Sequence, residues 1–225
     1  NNSAYSNTAS GMVDTIPPTT AVSTSPSSPD GLNGWFKTIP SITLTSDEPG
    51  TTYYQWDSTS GSWTTYASSF NASEGTHILY YYSVDVQGNA ESPAKSYSLK
   101  VDATPPSVPT NLTATRSGSS INLSWSASTD SGGSGLAGYK VERSSDGSTG
   151  WTQIGTVTGN PPAEGYSDAI APADQNRTWY YRVKAYDGAG NESAYSNVAS
   201  AFMPDESPPN PPTSVSATPQ SPTSI

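Results

Sequence analysis

Apolar and polar residues alternate with a period of two in several short runs of this chain. Ile121-Asn122-Leu123-Ser124-Trp125, Tyr139-Lys140-Val141-Glu142-Arg143 and Trp179-Tyr180-Tyr181-Arg182-Val183-Lys184-Ala185 are the clearest. A period of two sends successive side chains to opposite faces, so each run predicts a half-buried strand. The first half carries similar runs in Ile42-Thr43-Leu44-Thr45, Tyr53-Tyr54-Gln55-Trp56 and the stretch from Gly75 to Asn89. Gly, Asp and Ser punctuate them, with Ser117-Gly118-Ser119 and Asp146-Gly147-Ser148 as hairpin-like breaks. No stretch offers a helical stripe. The prediction is an all-β chain of tandem antiparallel β-sandwiches.

Internal repeats set the module boundaries. The opening Asn1-Asn2-Ser3-Ala4-Tyr5-Ser6-Asn7 returns as Asn191-Glu192-Ser193-Ala194-Tyr195-Ser196-Asn197, and the stretch Pro105–Thr115 is echoed by Pro208–Thr218. Three linkers share an acidic residue followed closely by a proline pair: Asp14 before Pro17-Pro18, Asp102 before Pro105-Pro106, and Asp205 before Pro208-Pro209. Proline pairs stiffen a boundary and hold it extended. The expected order is the last strand of a preceding module (1–14), a whole sandwich (15–102), a second whole sandwich of different sequence (103–204), and the first strands of a following module (205–225). Both chain ends then fall inside a module. A covalent continuation is the simpler explanation, and strand exchange between copies is the other.

Residues 103–204 resemble a fibronectin type III domain in the order and spacing of Leu123-Ser124-Trp125, Gly138-Tyr139-Lys140-Val141 and Tyr181-Arg182-Val183-Lys184-Ala185. A departure is Trp179, which stands where such domains place a strand-F tyrosine. Residues 15–102 are similar to the Ig-like repeats of bacterial surface proteins and secreted glycosidases. That likeness rests on Gly34-Trp35-Phe36, Gly61-Ser62-Trp63 and the Gly75–Asn89 stretch. The resemblance implies two sandwiches of non-catalytic character in an extracellular or cell-surface protein.

Composition narrows the function. With 19 acidic against 9 basic residues the net charge is −10, which repels phosphate backbones and anionic membranes, so nucleic acid is not expected as a partner. No window has the apolar length of a membrane span, and no charged-then-apolar signal segment opens the sequence, so the true N-terminus is expected further upstream. The absence of cysteine excludes disulfide scaffolds, thiolate metal sites and cysteine nucleophiles. His77 is the only histidine and has no nucleophile or carboxylate placed beside it by a recognisable motif, so no enzyme activity is expected.

Two constellations could carry chemistry. Acidic residues recur in three contexts per module, the incoming linker, the loop after strand B and the turn after strand F: Asp14, Asp47 and Asp85, then Asp102, Asp130 and Asp187. In a sandwich these segments gather at one end, where three carboxylates and nearby carbonyls suit calcium. The plainer role is turn capping, which suits Asp85 and Asp187 within Asp-x-x-Gly-Asn. Among the aromatics, Trp35, Trp56 and Trp63 are candidates for stacking on surface glycans, against a core and interface role for such rings. Asn71, Asn111 and Asn176 head glycosylation sequons, with further ones at Asn1, Asn122 and Asn191.

The functional expectation is a structural or adhesive segment of an extracellular rod, cell-surface stalk or filament. Its partners are neighbouring modules or copies of itself. The alternative is an accessory spacer or carbohydrate-binding region of a secreted polysaccharide-degrading enzyme.

Overall fold

A computed structural model of the chain describes residues 13–205 together with Thr213, Ser214 and Ser216. The partial modules expected within residues 1–14 and 205–225 lie outside the described residues, apart from the linker residues at their inner edges and Thr213, Ser214 and Ser216. The first module contains β1 (Thr20–Ser25), β2 (Ser41–Ser46), β3 (Gly50–Trp56), β4 (Thr64–Thr65), β5 (Phe70–Asn71), β6 (Gly75–Asp85) and β7 (Lys95–Val101). The second contains β8 (Thr110–Ser117), β9 (Ser120–Ser126), β10 (Leu136–Ser144), β11 (Thr152–Thr158), β12 (Gly165–Ala169), β13 (Arg177–Asp187) and β14 (Ala199–Met203).

Each module faces a three-stranded sheet with a four-stranded one. The orders are β1-β2-β5 and β4-β3-β6-β7 in the first, β12-β9-β8 and β11-β10-β13-β14 in the second, and neighbouring strands within these sheets run antiparallel. Two unlike sequences thus adopt one strand order. Among the described residues the only helical pieces are two 3-10 turns, Leu32–Gly34 and Pro172–Asp174.

Alternation explains the cores. In β9 the side chains of Ile121, Leu123 and Trp125 are buried and their neighbours are not, and β13 does the same with Trp179, Tyr181, Val183 and Ala185. They pack with Leu112, Tyr139, Val141 and Met203. In the first module Ile42, Leu44, Leu79, Tyr81, Leu99 and Val101 close a separate core with Phe36, which a bridge to Val101 draws in from the long β1–β2 connection.

A buried polar contact anchors the second core. Tyr181 is fully buried and its hydroxyl donates to Asp168 Oδ2 at 2.9 Å, where Arg143 Nη1 also binds at 3.0 Å. Burial, and then the Asp168 charge, push the Tyr181 phenol above its ordinary range. At Trp179 the indole N–H donates to the Asp174 carbonyl at 3.0 Å, so this residue ties its strand to the chain just upstream. Arg143 packs over the core-side Trp179 ring at 4.1 Å, and on the outer face Arg182 lies over Tyr195 at 3.6 Å and over Trp151 at 4.4 Å.

Candidate metal centres at the module boundaries

The two Asp-x-x-Gly-Asn turns are built alike. In the turn after β6, Asp85 Oδ1 accepts the N–H groups of Gln87 (2.9 Å) and Asn89 (2.8 Å), while Oδ2 accepts the Asn89 amide at 2.7 Å. In the turn after β13, Asp187 Oδ1 accepts the Asn191 N–H and Oδ2 its side-chain amide, both at 2.8 Å. Gly88 and Gly190 each hold φ near +91°, which a side chain resists, and this explains the glycine one residue before each asparagine.

Each asparagine then reaches back to the incoming linker. Asn191 Nδ2 donates to the Asp102 carbonyl at 2.8 Å, and Asn89 Nδ2 to the Asp14 carbonyl at 3.1 Å. The linker acid is thereby drawn onto the turn acid. A third carboxylate joins each pair, giving the clusters Asp102, Asp130, Asp187 and Asp14, Glu48, Asp85, with oxygens within 4.8 Å of one another. Two oxygens sharing one calcium at about 2.4 Å can be no further apart than about twice that distance, and each pair in both triangles meets that limit.

The second cluster is the more enclosed. Asp102 is fully buried, Asp187 is 1% exposed, and Asp130 is half-buried. Asp102 Oδ2 accepts the Ser134 N–H at 2.9 Å and Oδ1 the Thr104 N–H at 3.2 Å. Gly132 leaves room for it, since a Cβ there would lie 1.8 Å from Asp102 Oδ1. Asp130 Oδ1 takes the Gly132 N–H at 3.3 Å, but its Oδ2 is enclosed with no hydrogen-bond partner. Burial pushes the Asp130 carboxyl above its ordinary value, the Gly132 bond opposes this, and the charges of Asp102 and Asp187 add to the rise. Among the described residues no basic side chain pairs with any of the three. A hard cation would supply the missing charge and take up the orphan oxygen.

In the first cluster Glu48 stands where Asp47 was expected. Asp47 instead accepts the Thr19 N–H through Oδ1 at 2.6 Å, closing the chain onto β1. Both residues lie in the bend between β2 and β3, where the Thr19 contact occupies Asp47 and Glu48 is the one beside Asp14 and Asp85. Glu48 is pushed above its ordinary value by desolvation and by Asp14, Asp47 and Asp85. At Asp85 burial acts upward but is outweighed by the Asn89 and backbone donors, which leave it below the ordinary value.

The second boundary is also a docking surface. The 3-10 turn of module one lies on the Asp187–Asn191 turn of module two: Leu32 N donates to Ala189 O at 2.8 Å, Asn33 Nδ2 to Gly188 O at 3.1 Å, and Lys37 Nζ to Gly190 O at 3.0 Å. The backbones meet closely enough that a Cβ on Gly31 would sit 2.7 Å from Ala189 O. The linker is held from both sides, for Glu74 of module one accepts the Ala103 N–H (2.9 Å) and the Thr104 hydroxyl (2.8 Å).

The three tryptophans singled out for stacking are separated. Trp35 lies at this boundary, its ring 3.9 Å from where a Gly133 Cβ would stand. Trp56 packs on the first core, edge-on to Phe70 and His77, and Trp63 meets Tyr82 on the outer face of the sheet. Asn71, Asn111 and Asn176 are exposed, Asn191 is buried, and Asn1 lies outside the described residues. His77 is engaged at both ring nitrogens, with Asp57 Oδ2 at 2.8 Å and Glu74 O at 3.0 Å.

Residues 107–202 match the family described as Fibronectin type III domain. The second module is a fibronectin type III domain. Over most of its length the chain is similar to Chitinase A1 of Niallia circulans, 32% identical over 202 residues that cover 83% of this chain and 27% of the relative. Exoglucanase B of Cellulomonas fimi is 41% identical over 131 residues, 54% of this chain and 11% of that protein. The chain thus spans about a tenth to a quarter of the length of these relatives. In fold it is similar to a crystal structure of consecutive titin domains, with a TM-score of 0.51 at 17% identity, covering 84% of this chain and 67% of that one. A fibronectin type III domain in tandem with a second sandwich of the same strand order is therefore the architecture of this region.

Proposed function

We propose that this segment is a non-catalytic, extracellular spacer within a polysaccharide-degrading protein, and that hard divalent cations such as calcium pin each module to its incoming linker. The relatives favour the accessory role over a free-standing stalk or filament, since glucanase and chitinase chains carry the similar stretches. The observation that carries the spacer reading is the second boundary. There the linker carboxylate Asp102 is buried among groups of both flanking segments, and a loop of module one is hydrogen-bonded to the turn that holds Asp187. A boundary so tied has no slack residues to act as a hinge. Cation support rests on two like triangles of carboxylates, on the enclosed, unpartnered Asp130 oxygen, and on the lack, among the described residues, of a basic partner for Asp102, Asp130 or Asp187.

Calcium titration against thermal unfolding tests the pinning, because an ion that binds only the folded state raises the midpoint. The expected result is a higher midpoint in millimolar calcium than in chelator. An unchanged midpoint refutes the cation sites and leaves the boundary to the protein's own hydrogen bonds.

A further inference from the structure

The outer face of the four-stranded sheet in module one has a composition unlike the rest of the surface. Along β6 the odd positions Leu79, Tyr81, Ser83 and Asp85 are buried, which turns Tyr80, Tyr82 and Val84 outward. The register Tyr53↔Tyr82 and Gln55↔Tyr80 sets Tyr53 and Gln55 of β3 beside them, and Ser96 of β7 flanks Tyr80 on the other side. The Tyr53 and Tyr82 rings stack at 5.2 Å and 24°, and Trp63 meets Tyr82 at 4.8 Å and 89°. All four rings are half-buried and none belongs to the core cluster, which uses Tyr54, Trp56, Tyr66, Phe70, Tyr81 and Tyr97 from the inner face.

Gln55 ties this arrangement together. Its amide nitrogen donates to the Ser60 carbonyl at 2.6 Å, holding the loop that carries Trp63 against the sheet. The central positions, Thr51, Tyr53, Gln55, Tyr80, Tyr82, Ser96 and Ser98, carry rings, hydroxyls and an amide but no charge, in a chain of net charge −10. Rings with convergent neutral hydrogen-bonding groups are the chemistry that meets a sugar, which offers apolar C–H faces and hydroxyls. The overall negative charge turns away anionic polymers.

We propose that this face binds a neutral polysaccharide chain, with Trp63, Tyr53, Tyr82 and Tyr80 stacking on its sugar rings. The proposal deepens the reading of the chain as part of a polysaccharide-degrading protein by giving the spacer its own substrate contact.

Affinity electrophoresis of the whole chain in gels containing hydroxyethylcellulose, glycol chitin or carboxymethylcellulose tests it. Retardation is expected in at least one neutral gel and less in the anionic one. Trp63→Ala should weaken it roughly tenfold, the upper range for one aromatic contact. Gln55→Glu, which puts a charge on the face, should also lose retention, while Phe202→Ala on module two should keep it. Circular dichroism confirms that each variant is folded. Migration unchanged in both neutral gels, retention by a folded Trp63→Ala equal to wild type, or stronger retardation by carboxymethylcellulose would overturn the proposal. None of these results touches the calcium response or the module boundary, so failure here is distinguishable from failure of the spacer reading.

Discussion

Asn191 is the residue on which the second boundary turns, and Asn191→Ala measures its contribution. The side chain is 7% exposed and makes two hydrogen bonds, to the carbonyl of Asp102 and to the carboxylate of Asp187, both at 2.8 Å. A bond to a carboxylate contributes about 1.5–3 kcal/mol and one to a backbone carbonyl about 0.5–1.5 kcal/mol, so the loss comes to about 2–4.5 kcal/mol. In a domain of about 100 residues each kcal/mol moves the thermal midpoint by roughly 4–5 °C, which places the expected fall at roughly 8–22 °C. Scanning calorimetry of the chain in calcium reads this as a shift of the second module's transition. Asn89→Ala is the matched control. Asn89 is only half-buried, and its bond to the Asp14 carbonyl is longer at 3.1 Å, so the first module's transition should move less. A fall of under about 2 °C for Asn191→Ala, or one no larger than that of Asn89→Ala, would refute the reasoning that this amide holds linker and turn together.

Three further outcomes are expected. Tyr181→Phe keeps the ring and removes only the hydroxyl that Asp168 accepts, so it should lower the stability of the second module by about 1.5–3 kcal/mol in urea unfolding, with the denaturant slope unchanged. Asp130→Asn removes a charge that burial, Asp102 and Asp187 all disfavour, so it should raise the midpoint in chelator and shrink the calcium-induced rise. The Asp57 bond and the Glu74 carbonyl raise His77 above its ordinary value of 6.5, so the fold favours its protonated form. That stabilisation is complete below 6.5 and is lost as pH rises through the folded value. The first module should therefore gain midpoint between pH 8 and pH 6, by no more than about 1 kcal/mol for so exposed a pair, and Asp57→Asn should remove that gain.

Much of this was legible in the chain, for physical reasons that differ by element. Strands β6, β9 and β13 were visible because each buries one face and wets the other, so the period of two is written in their residues. The two-residue strands β4 and β5 carry no period, and only their neighbours reveal them. Repetition of Asp-x-x-Gly-Asn after each linker acid exposed the acidic ends of both modules. Choosing between Asp47 and Glu48 required knowing which way the chain turns after β2, a tertiary fact set by the Thr19 contact. Parity paired Trp56 with Tyr54 and left Tyr53 with Gln55, but only the register with β6 says which pair faces the core. The docking of Leu32 and Asn33 on the distant turn at Gly188 and Ala189 has no local signal, although Gly34-Trp35-Phe36 marked the loop that makes it.

The central claim is that the two modules form one stiff unit, closed at Asp102 by a cation. The chain has no cysteine, so Thr45→Cys and Thr158→Cys, exposed on β2 and β11, accept a single pair of spin labels. Pulsed dipolar spectroscopy between them should give one narrow distance distribution in calcium that broadens in chelator. A broad distribution in calcium would contradict the account.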